Sequence, residues 1–279
     1  MHRSVLVPPV TAIVAASSVF DADLDDDGNA AFAVGHRGAA THILFGTGAL
    51  IALPKPLHTC TLRLRDRDRV LVRGWKKPPF LEPDAYEVAS DGTIRQSFPA
   101  VQYCSGILCT QDRVVLTYYD DHMGVGIDHA DQALAVFDWD GTYLWGWNDC
   151  RDLQQLYDCD GATRLGGNLI GVFANHEYPL VVLDTGACQP VEAYHPTPKQ
   201  LHGAQSIARR DGVWCFLSPY DAREAVLTWQ PGRGRPTTIG AVPQRHHFRG
   251  LPDGHFINVA EGRAEILQVA PADLGSGET

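Results

Sequence analysis

Histidine and acidic residues occur side by side in two segments of the chain. The two segments are Asp120-Asp121-His122 and Asn175-His176-Glu177. Neutral imidazoles beside carboxylates can hold a divalent transition metal or act as general bases. These segments therefore predict a metal-assisted or acid–base site, in which Asp121 and Glu177 orient the imidazoles or complete a metal shell.

Other polar residues beside the ends of predicted strands join these candidates. The candidate catalytic residues are His122, His176, His202, Asp121 and Glu177. The candidate ligands of a divalent metal ion are His122, His176, His202 and Glu177. The candidate substrate-binding residues are His36, Arg37, Asp120, Asn175, Tyr220, His246 and His247. The sequence has no HExxH or comparable zinc spacing, so metal ligands have to come from separate segments. For each single histidine, the competing interpretation is a solvated loop side chain.

Other chemical motifs are incomplete or absent. The segment Asp23 to Gly28 matches the opening of a calcium-binding loop, but Val34 stands where the loop requires a bidentate Glu. We interpret this segment as an acidic hairpin turn. The chain has no GxSxG elbow, P-loop or GxGxxG segment, so no nucleotide cofactor is expected. Cys104 is open to two interpretations, a nucleophile or a packing residue.

The charge balance limits the classes of partner. The chain has 23 Lys and Arg against 33 Asp and Glu, a formal net charge of -10. Phosphate binding needs a concentrated basic surface, so nucleic acid and anionic membranes are not expected partners. The run Arg63, Arg65, Arg67 and Arg69 is interrupted by Asp66 and Asp68. We interpret this run as the outward or turn face of a hairpin.

The cysteines and the first residues bear on localisation. The seven cysteines include no CxxC pair, which favours free thiols in a reducing cytoplasm. The stretch Ser4 to Ser18 is mostly apolar and follows a basic residue, as in secretory signals, but Pro8 and Pro9 interrupt it. We expect a cytoplasmic protein, with secretion or a periplasmic location as the alternative.

Two interleaved series of turns predict the architecture. The first series is Asp25 to Asn29, Arg67 to Asp68, Gln111 to Asp112, Gly166 to Gly167, Arg210 to Gly212 and Pro252 to Gly254. The second series is Gly46 to Gly48, Ser90 to Gly92, Trp139 to Gly141, Asp184 to Gly186 and Pro231 to Gly234. Successive members are spaced by about 40 to 55 residues, the length of a propeller blade. The spacing predicts an all-β, six-bladed β-propeller of four-stranded antiparallel blades.

The last repeat is one strand short. We expect the segment Val5 to Val10 to supply its fourth strand and close the ring, which removes free sheet edges. The prediction is one domain over residues 1–271 with a flexible tail at residues 272–279. Two split β-sandwiches are the alternative, because turn spacing does not report ring closure.

A propeller sorts these residues onto two faces, because strand direction reverses at every hairpin. The face expected to carry the hairpin turns, here called the hairpin face, has Asp27, Asp91, Asp112, Asp140, Asp211 and Asp253. The opposite face, here called the histidine face, has His36, His58, His122, His176, His202, His246 and His247. The mouth of the central channel on such a face is a usual place for ligands.

Part of the chain resembles known propellers. The resembling stretch contains Tyr118 to Asp121, Ala135 to Gly141, Leu144-Trp145 and Tyr178 to Val181. It resembles an uncharacterised group of bacterial propellers with a Y-F-D-E-like loop, an F-D-x-x-G turn and a following Trp. The strand pattern is more loosely similar to NHL and SMP-30-type six-bladed propellers. SMP-30-like lactonases hold a divalent metal at the channel mouth, but Asp121, Asn175 and Glu177 do not align residue by residue, so no catalytic role is carried over.

Two functions from different classes stay open. The first is a small-molecule-binding propeller with a His/Asp/Glu-rich site at the channel mouth, acting as a metal-assisted hydrolase or lyase. The second is a non-catalytic interaction module, a scaffold or an inhibitor, that presents its loops to a protein partner. The sequence leaves undecided whether the chain is an enzyme.

Overall fold

The computed structural model describes residues 1–6, 8, 17–75, 85–96, 104–118, 129, 131–159, 161–174, 179–195, 197–217, 219, 224–242 and 248–269. Within these ranges the regular secondary structure is β-strand, apart from three 3-10 helices at Trp147–Asp149, Lys199–Leu201 and Pro252–Gly254. The chain is therefore all-β, as predicted. None of the described helices is long and apolar enough to cross a membrane.

Four separate antiparallel sheets contain four strands each. One sheet has β9 (Cys104–Cys109), β10 (Val114–Tyr118), β11 (Leu134–Phe137) and β12 (Tyr143–Gly146). The next has β13 (Ala162–Gly166), β14 (Leu169–Val172), β15 (Leu180–Asp184) and β16 (Gln189–Tyr194). The third has β17 (Ser206–Arg210), β18 (Val213–Leu217), β19 (Ala225–Gln230) and β20 (Arg233–Ala241). The fourth joins β21 (Arg249–Gly250), β22 (Phe256–Ala260) and β23 (Arg263–Gln268) to β1 (His2–Leu6).

The other seven strands form one continuous sheet, which differs from the prediction of six separate four-stranded blades. Its strands, in order, are β2 (Ser18–Leu24), β3 (Ala30–His36), β4 (Ala39–Phe45), β5 (Leu50–Asp66), β6 (Arg69–Trp75), β7 (Ala85–Ala89) and β8 (Ile94–Gln96). The first part of β5, up to Leu57, pairs with β4, and the part from His58 pairs with β6. The strand is irregular between His58 and Thr61, where Thr59 has a φ of 49°. A bulge in an unbroken strand thus replaces the loop that would separate two blades.

The N-terminal strand supplies the missing strand of the last sheet. Every residue of β1 pairs with β23, from His2 opposite Gln268 to Leu6 opposite Ala264. The predicted strand, Val5 to Val10, is therefore displaced by a few residues. The observed strand ends before Pro8, which has no N–H to donate to a ladder.

The innermost strands surround a common axis. Consecutive contacts join β2 to β5, β5 to β9, β9 to β13, β13 to β17 and β17 to β21. The seven-stranded sheet also contacts the sheet that contains β1, because Val19 and Phe32 share a buried apolar cluster with Leu251 and Ile257. This arrangement of radial antiparallel sheets is a β-propeller.

Strand pairing confirms the two predicted faces for the described residues. Each Asp assigned to the hairpin face lies in a turn that joins the first and second strands or the third and fourth strands of a repeat. Side chains of neighbouring turns form hydrogen bonds with one another. Asn168 Nδ2 donates to Asp112 Oδ2 at 2.7 Å, and Ser90 Oγ donates to Asp68 Oδ1 at 2.8 Å. Of the described members of the histidine set, His36 ends β3 and His202 lies in the connection before β17, at the opposite strand ends. His58 lies within β5, at the point where the pairing of β5 passes from β4 to β6.

Deleting residues 1–6 should lower the melting temperature by at least about 5 °C and promote aggregation, because the edge of β23 is then open to pairing. Thermal unfolding and light scattering measure both effects. Deletion of residues 272–279, the predicted tail, is the matched control and should change neither. An unchanged melting temperature after removal of β1 would contradict the closure.

Candidate functional site in the central channel

Most candidate residues from the sequence lie outside the described part of the chain. These are Asp120, Asp121, His122, Asn175, His176, Glu177, Tyr220, His246 and His247. Their assembly at the channel mouth therefore stays a prediction. The described candidates are His36, Arg37 and His202.

His36 and Arg37 lie at the turn between β3 and β4 on the histidine face. His36 Nε2 is 3.1 Å from Ser17 Oγ. Arg37 and Gly38 have φ angles of 55° and 80°, the left-handed conformation that a two-residue hairpin turn uses. His58 Nδ1 lies 3.2 Å from the carbonyl oxygen of Gly38. His36, Arg37 and His58 therefore form one exposed group, here called the turn patch.

His202 lies elsewhere on the same face, in the connection from β16 to β17. Its backbone N–H donates to the Lys199 carbonyl at 3.1 Å and ends the 3-10 helix there. Within the described ranges, no three His, Cys, Asp or Glu side chains are arranged to hold a metal ion. The structure thus unites His36 with Arg37 but does not build a metal site from the described histidines.

Sequence reasoning missed a cluster of charged side chains inside the channel. Its members are Asp21 and Asp23 of β2, Arg63 of β5, Arg164 of β13 and Arg249 of β21, and we call them the channel cluster. All of these strands are innermost strands. The alternation of Asp21 with Asp23 in an otherwise apolar strand was the available signal, because residues two apart share one face of a strand.

Asp21 joins β2 to β5 through a backbone amide and a guanidinium. Its Oδ2 accepts the N–H of Leu62 at 2.8 Å and a hydrogen bond from Arg63 Nη1 at 2.8 Å. Arg63 also donates from Nε to the Ile107 carbonyl of β9 at 2.7 Å. A single ion pair therefore ties three innermost strands together.

Asp23 makes the equivalent connections one step further along β2. Its Oδ2 accepts the N–H of Leu64 at 2.8 Å, and its Oδ1 accepts a hydrogen bond from Arg249 Nη2 at 2.8 Å. Arg249 Nη2 also donates to the Ala22 carbonyl at 2.8 Å. Arg249 therefore joins the sheet of β21, β22, β23 and β1 to the seven-stranded sheet.

Arg164 occupies the hairpin end of the channel. Its Nη1 donates to the carbonyls of Leu64 and Cys109, and its Nη2 donates to the carbonyl of Leu24. Its Nε lies 3.2 Å from Asp26 Oδ1, and Asp26 Oδ2 accepts the N–H of Gly167 at 3.0 Å. The Arg164 guanidinium thus donates hydrogen bonds to three strands besides its own.

The electrostatics of the cluster favour the ionised form of Asp23. Burial by itself raises the pKa of the Asp23 carboxyl, but Arg249, Arg164 and Arg63 outweigh it and hold that pKa below its usual value. Burial and the nearby Arg63 lower the pKa of Arg249 despite Asp23 and Asp21. The neighbouring guanidinium groups therefore keep the buried Asp23 carboxyl ionised.

The channel cluster leaves little free space. The cavity beside it is lined by Asp23, Arg63, Arg164 and Arg249 together with Leu108, Cys109 and residues 250–252. Its volume is about 10 Å³, which is room for about one water molecule. A substrate-sized molecule does not fit in this part of the channel.

These contacts decide the interpretation of the arginine run from Arg63 to Arg69. The outward position expected for Arg63 is wrong, because its side chain is only 11% exposed and is bonded to Asp21. The neighbouring Arg65 also faces inward, since it pairs with Glu87 at 2.7 Å and stacks on the Trp139 ring at 4.2 Å. Tertiary pairing with acidic and aromatic partners overrides the general preference of arginine for solvent.

The segment that resembles a calcium loop is divided between two roles. Asp23 faces the channel, whereas Asp25 Oδ1 accepts the backbone N–H groups of Asp27 and Asn29 at 3.0 and 2.8 Å. Asp25 therefore stabilises its own turn. This supports the interpretation as an acidic hairpin turn.

The buried cysteines have the properties of packing residues. Burial raises the pKa of the Cys104 thiol, which donates to the Gly106 carbonyl at 2.8 Å. Burial and the nearby Asp23 raise the pKa of Cys109 to about 12. Protonated thiols are poor nucleophiles, so the packing interpretation of Cys104 is favoured.

Comparison with known proteins supports the fold. The sequence matches no family model and no curated protein. Among solved structures, the Dos1 propeller has a TM-score of 0.52 at 11% identity, over 90% of this chain and 78% of that one. A chain of the mitotic checkpoint complex has a TM-score of 0.51 at 11% identity, over 91% and 75% of the two chains. PorZ of the Porphyromonas gingivalis type-IX secretion system has a TM-score of 0.51 at 10% identity, over 96% of this chain and 34% of PorZ. At these identities the likeness shows the β-propeller fold alone.

Replacing Asp23 with Asn tests the role of the channel cluster. The variant leaves Arg249 without its carboxylate, so the free energy of unfolding at pH 7 should fall by about 3 to 5 kcal/mol. The folded-state pKa of Asp23 lies below the unfolded one, so this group stabilises the wild type above about pH 4 and less as the pH falls further. The variant should therefore show a weaker dependence of stability on pH between about 2 and 4.

Urea unfolding across pH 2 to 7 measures both effects. Asp27→Asn, an exposed change of the same charge in the adjoining turn, is the control and should behave as the wild type. Equal pH slopes for wild type and Asp23→Asn would show that the cluster does not hold the carboxylate in its ionised form.

Proposed function

We propose that the chain is a non-catalytic interaction module that presents its histidine face to a protein partner. The observation that carries this proposal is the occupation of the described channel by the protein's own ion pairs. Propellers commonly bind small molecules at the channel. Here the space beside the cluster holds about one water, so the loops are the better candidate for recognition.

The proposal includes a ring of six blades. We regard the seven-stranded sheet as two blades that share β5, since β5 pairs with β4 up to Leu57 and with β6 from His58. With the four separate sheets this makes six. Such a ring is a rigid support for loops, whose side chains supply the specificity.

The outer sheet edges are less suited to binding than the face. The outer part of β5 contains Pro54 and Pro56, β16 contains Pro190, and β20 contains Pro236. A proline lacks the N–H that an added strand would need, and prolines protect edges from such pairing. The exposed Arg37 of the turn patch is in contrast free to contact a partner, and arginine is enriched among residues that dominate binding energy. A chain of this fold in the mitotic checkpoint complex is consistent with a role in assembly.

A second candidate function is the small-molecule site predicted at the histidine face. It is favoured by the exposed His36 and His58, whose imidazoles are accessible at that face. In this proposal His122, His176, His202 and Glu177 hold a divalent metal ion, and the chemistry is hydrolysis or elimination.

The test uses two exposed arginines on opposite faces. A photo-crosslinking amino acid replaces Arg37 on the histidine face or Arg67 on the hairpin face, in the cells that produce the protein. We expect a discrete protein adduct from position 37 and none from position 67. With the isolated partner, Arg37→Glu should weaken the Kd by at least about tenfold, about 1.4 kcal/mol, and Arg67→Glu should leave it unchanged.

Two results would contradict the interaction module. One is the same set of adducts from both positions. The other is a stoichiometric divalent metal ion in protein purified without a His-tag and lost in His176→Ala, which would favour the second candidate function.

A further inference from the structure

The connection from β12 to β13 carries an exposed aromatic residue on the histidine face. Strand β12 starts after a turn of the hairpin face, so residues 147–159, here called the tyrosine loop, follow at the opposite end. Tyr157 of this loop is 52% exposed, whereas the other Phe, Tyr and Trp side chains that the structure describes are buried or half-buried. Tyrosine joins an apolar ring to a polar hydroxyl and is enriched among the residues that dominate protein–protein binding.

Asn148 ties the start of the tyrosine loop to its end. Its Nδ2 donates to the Leu156 carbonyl at 2.9 Å, and its Oδ1 accepts the Leu156 N–H at 2.8 Å. Asn148 Nδ2 also donates to the Asp131 carbonyl, and its backbone N–H donates to Gln132 Oε1 at 2.7 Å. These bonds close the loop and bring Asp131 beside Leu156, the residue before Tyr157.

The chain is buried on both sides of Tyr157. Leu156 and Cys159 are 0% exposed and belong to the apolar cluster between the third and fourth blades of the ring. The Cys159 N–H donates to the Tyr118 carbonyl at 3.0 Å, and the Cys159 carbonyl accepts a hydrogen bond from Ser105 Oγ at 2.9 Å. The backbone beside Tyr157 is therefore fixed before a partner arrives, which reduces the entropy lost on binding.

The surroundings of Tyr157 are acidic. The charged residues of the tyrosine loop and of the segment bonded to it are Asp131, Asp149, Arg151, Asp152 and Asp158, and all but the half-buried Asp158 are exposed. Gln132 Nε2 donates to Asp131 Oδ1 at 2.9 Å and to Asp149 Oδ1 at 3.3 Å, so these two carboxylates lie side by side. Burial raises the pKa of Tyr143, and Asp149 and Asp131 raise it further, in agreement with a negative potential here. Such a surface attracts cationic groups and repels phosphates.

We propose that the tyrosine loop, together with Asp131, is the docking surface for a basic segment of the protein partner, with Tyr157 as its anchor. This inference rests on the proposed function, because it assigns residues and a partner chemistry to the same face. A guanidinium or ammonium group of the partner stacks on the Tyr157 ring, and the neighbouring carboxylates balance its charge. Arg37 of the turn patch, which has the opposite charge, contacts a different part of that partner.

A random peptide library displayed on phage tests the docking surface without the natural partner. Peptides are selected on the full wild-type chain, and the Kd of each is then measured for the wild type and for Tyr157→Ala. We expect peptides of net positive charge whose Kd is weakened at least about tenfold, about 1.4 kcal/mol, by Tyr157→Ala. Asp152→Lys should also weaken them, because it reverses a charge of the surface.

Two control variants accompany this selection. Tyr157→Phe keeps the ring and should retain most of the affinity, and Leu169→Ala, which truncates an exposed apolar residue beside a turn of the hairpin face, should leave the Kd unchanged. Unchanged melting temperatures would show that each variant is folded. A selection that yields no peptide dependent on Tyr157, or only acidic ones, would overturn the proposal.

A photo-crosslinking amino acid at position 157, compared with position 37 in the same cells, separates this inference from the proposed function. A protein adduct at position 157 that the selected basic peptide competes away supports the docking surface, whether or not position 37 captures the same protein. Capture at position 37 alone, or an adduct at 157 that the peptide does not reduce, overturns the docking surface and leaves the interaction module standing. Capture at neither position overturns both.

Discussion

The structure depends on how the innermost strands satisfy their backbone groups. Neighbouring innermost strands such as β2 and β5 are not paired with each other, so no ladder joins their N–H and C=O groups, and buried groups without partners are costly. Asp21 and Asp23 accept the N–H groups of Leu62 and Leu64, and arginines donate to carbonyls of several strands. Side chains thus take the place of a ladder around the axis, and the sheets pack on apolar clusters farther out.

The use of channel side chains to bond backbone groups restricts the chemical functions that these side chains can perform. Carboxylates and guanidiniums that bond to backbone groups are not available to activate a substrate, and removing one would leave its partner buried and unpaired. Recognition is then better served by loops, which change without disturbing the ring. The turn patch shows this separation, because Arg37 and His58 are exposed at the end of strands whose apolar residues are buried.

Much of the fold was accessible from the sequence because its signals are local. Turn residues such as Asp25-Asp26-Asp27-Gly28 act within a few positions, and their spacing reports strand length and repeat length. The seven-stranded sheet was not accessible, since the turn series cannot tell a loop from a bulge at Thr59. The channel cluster was also missed, because Asp21 and Arg249 are far apart in the chain and meet only when the ring closes.

The sequence by itself determined the all-β class, the reversal of the chain at each hairpin, the two faces and the need for an N-terminal strand, because each follows from short-range turn chemistry and period-two alternation. Only the tertiary structure decided that Arg63 and Arg65 turn inward, that β5 runs on without a break and that ion pairs cross the described part of the channel. The physical reason is that a charged side chain is buried only where a partner from a distant strand compensates its desolvation, and a single strand's pattern carries no information about that partner.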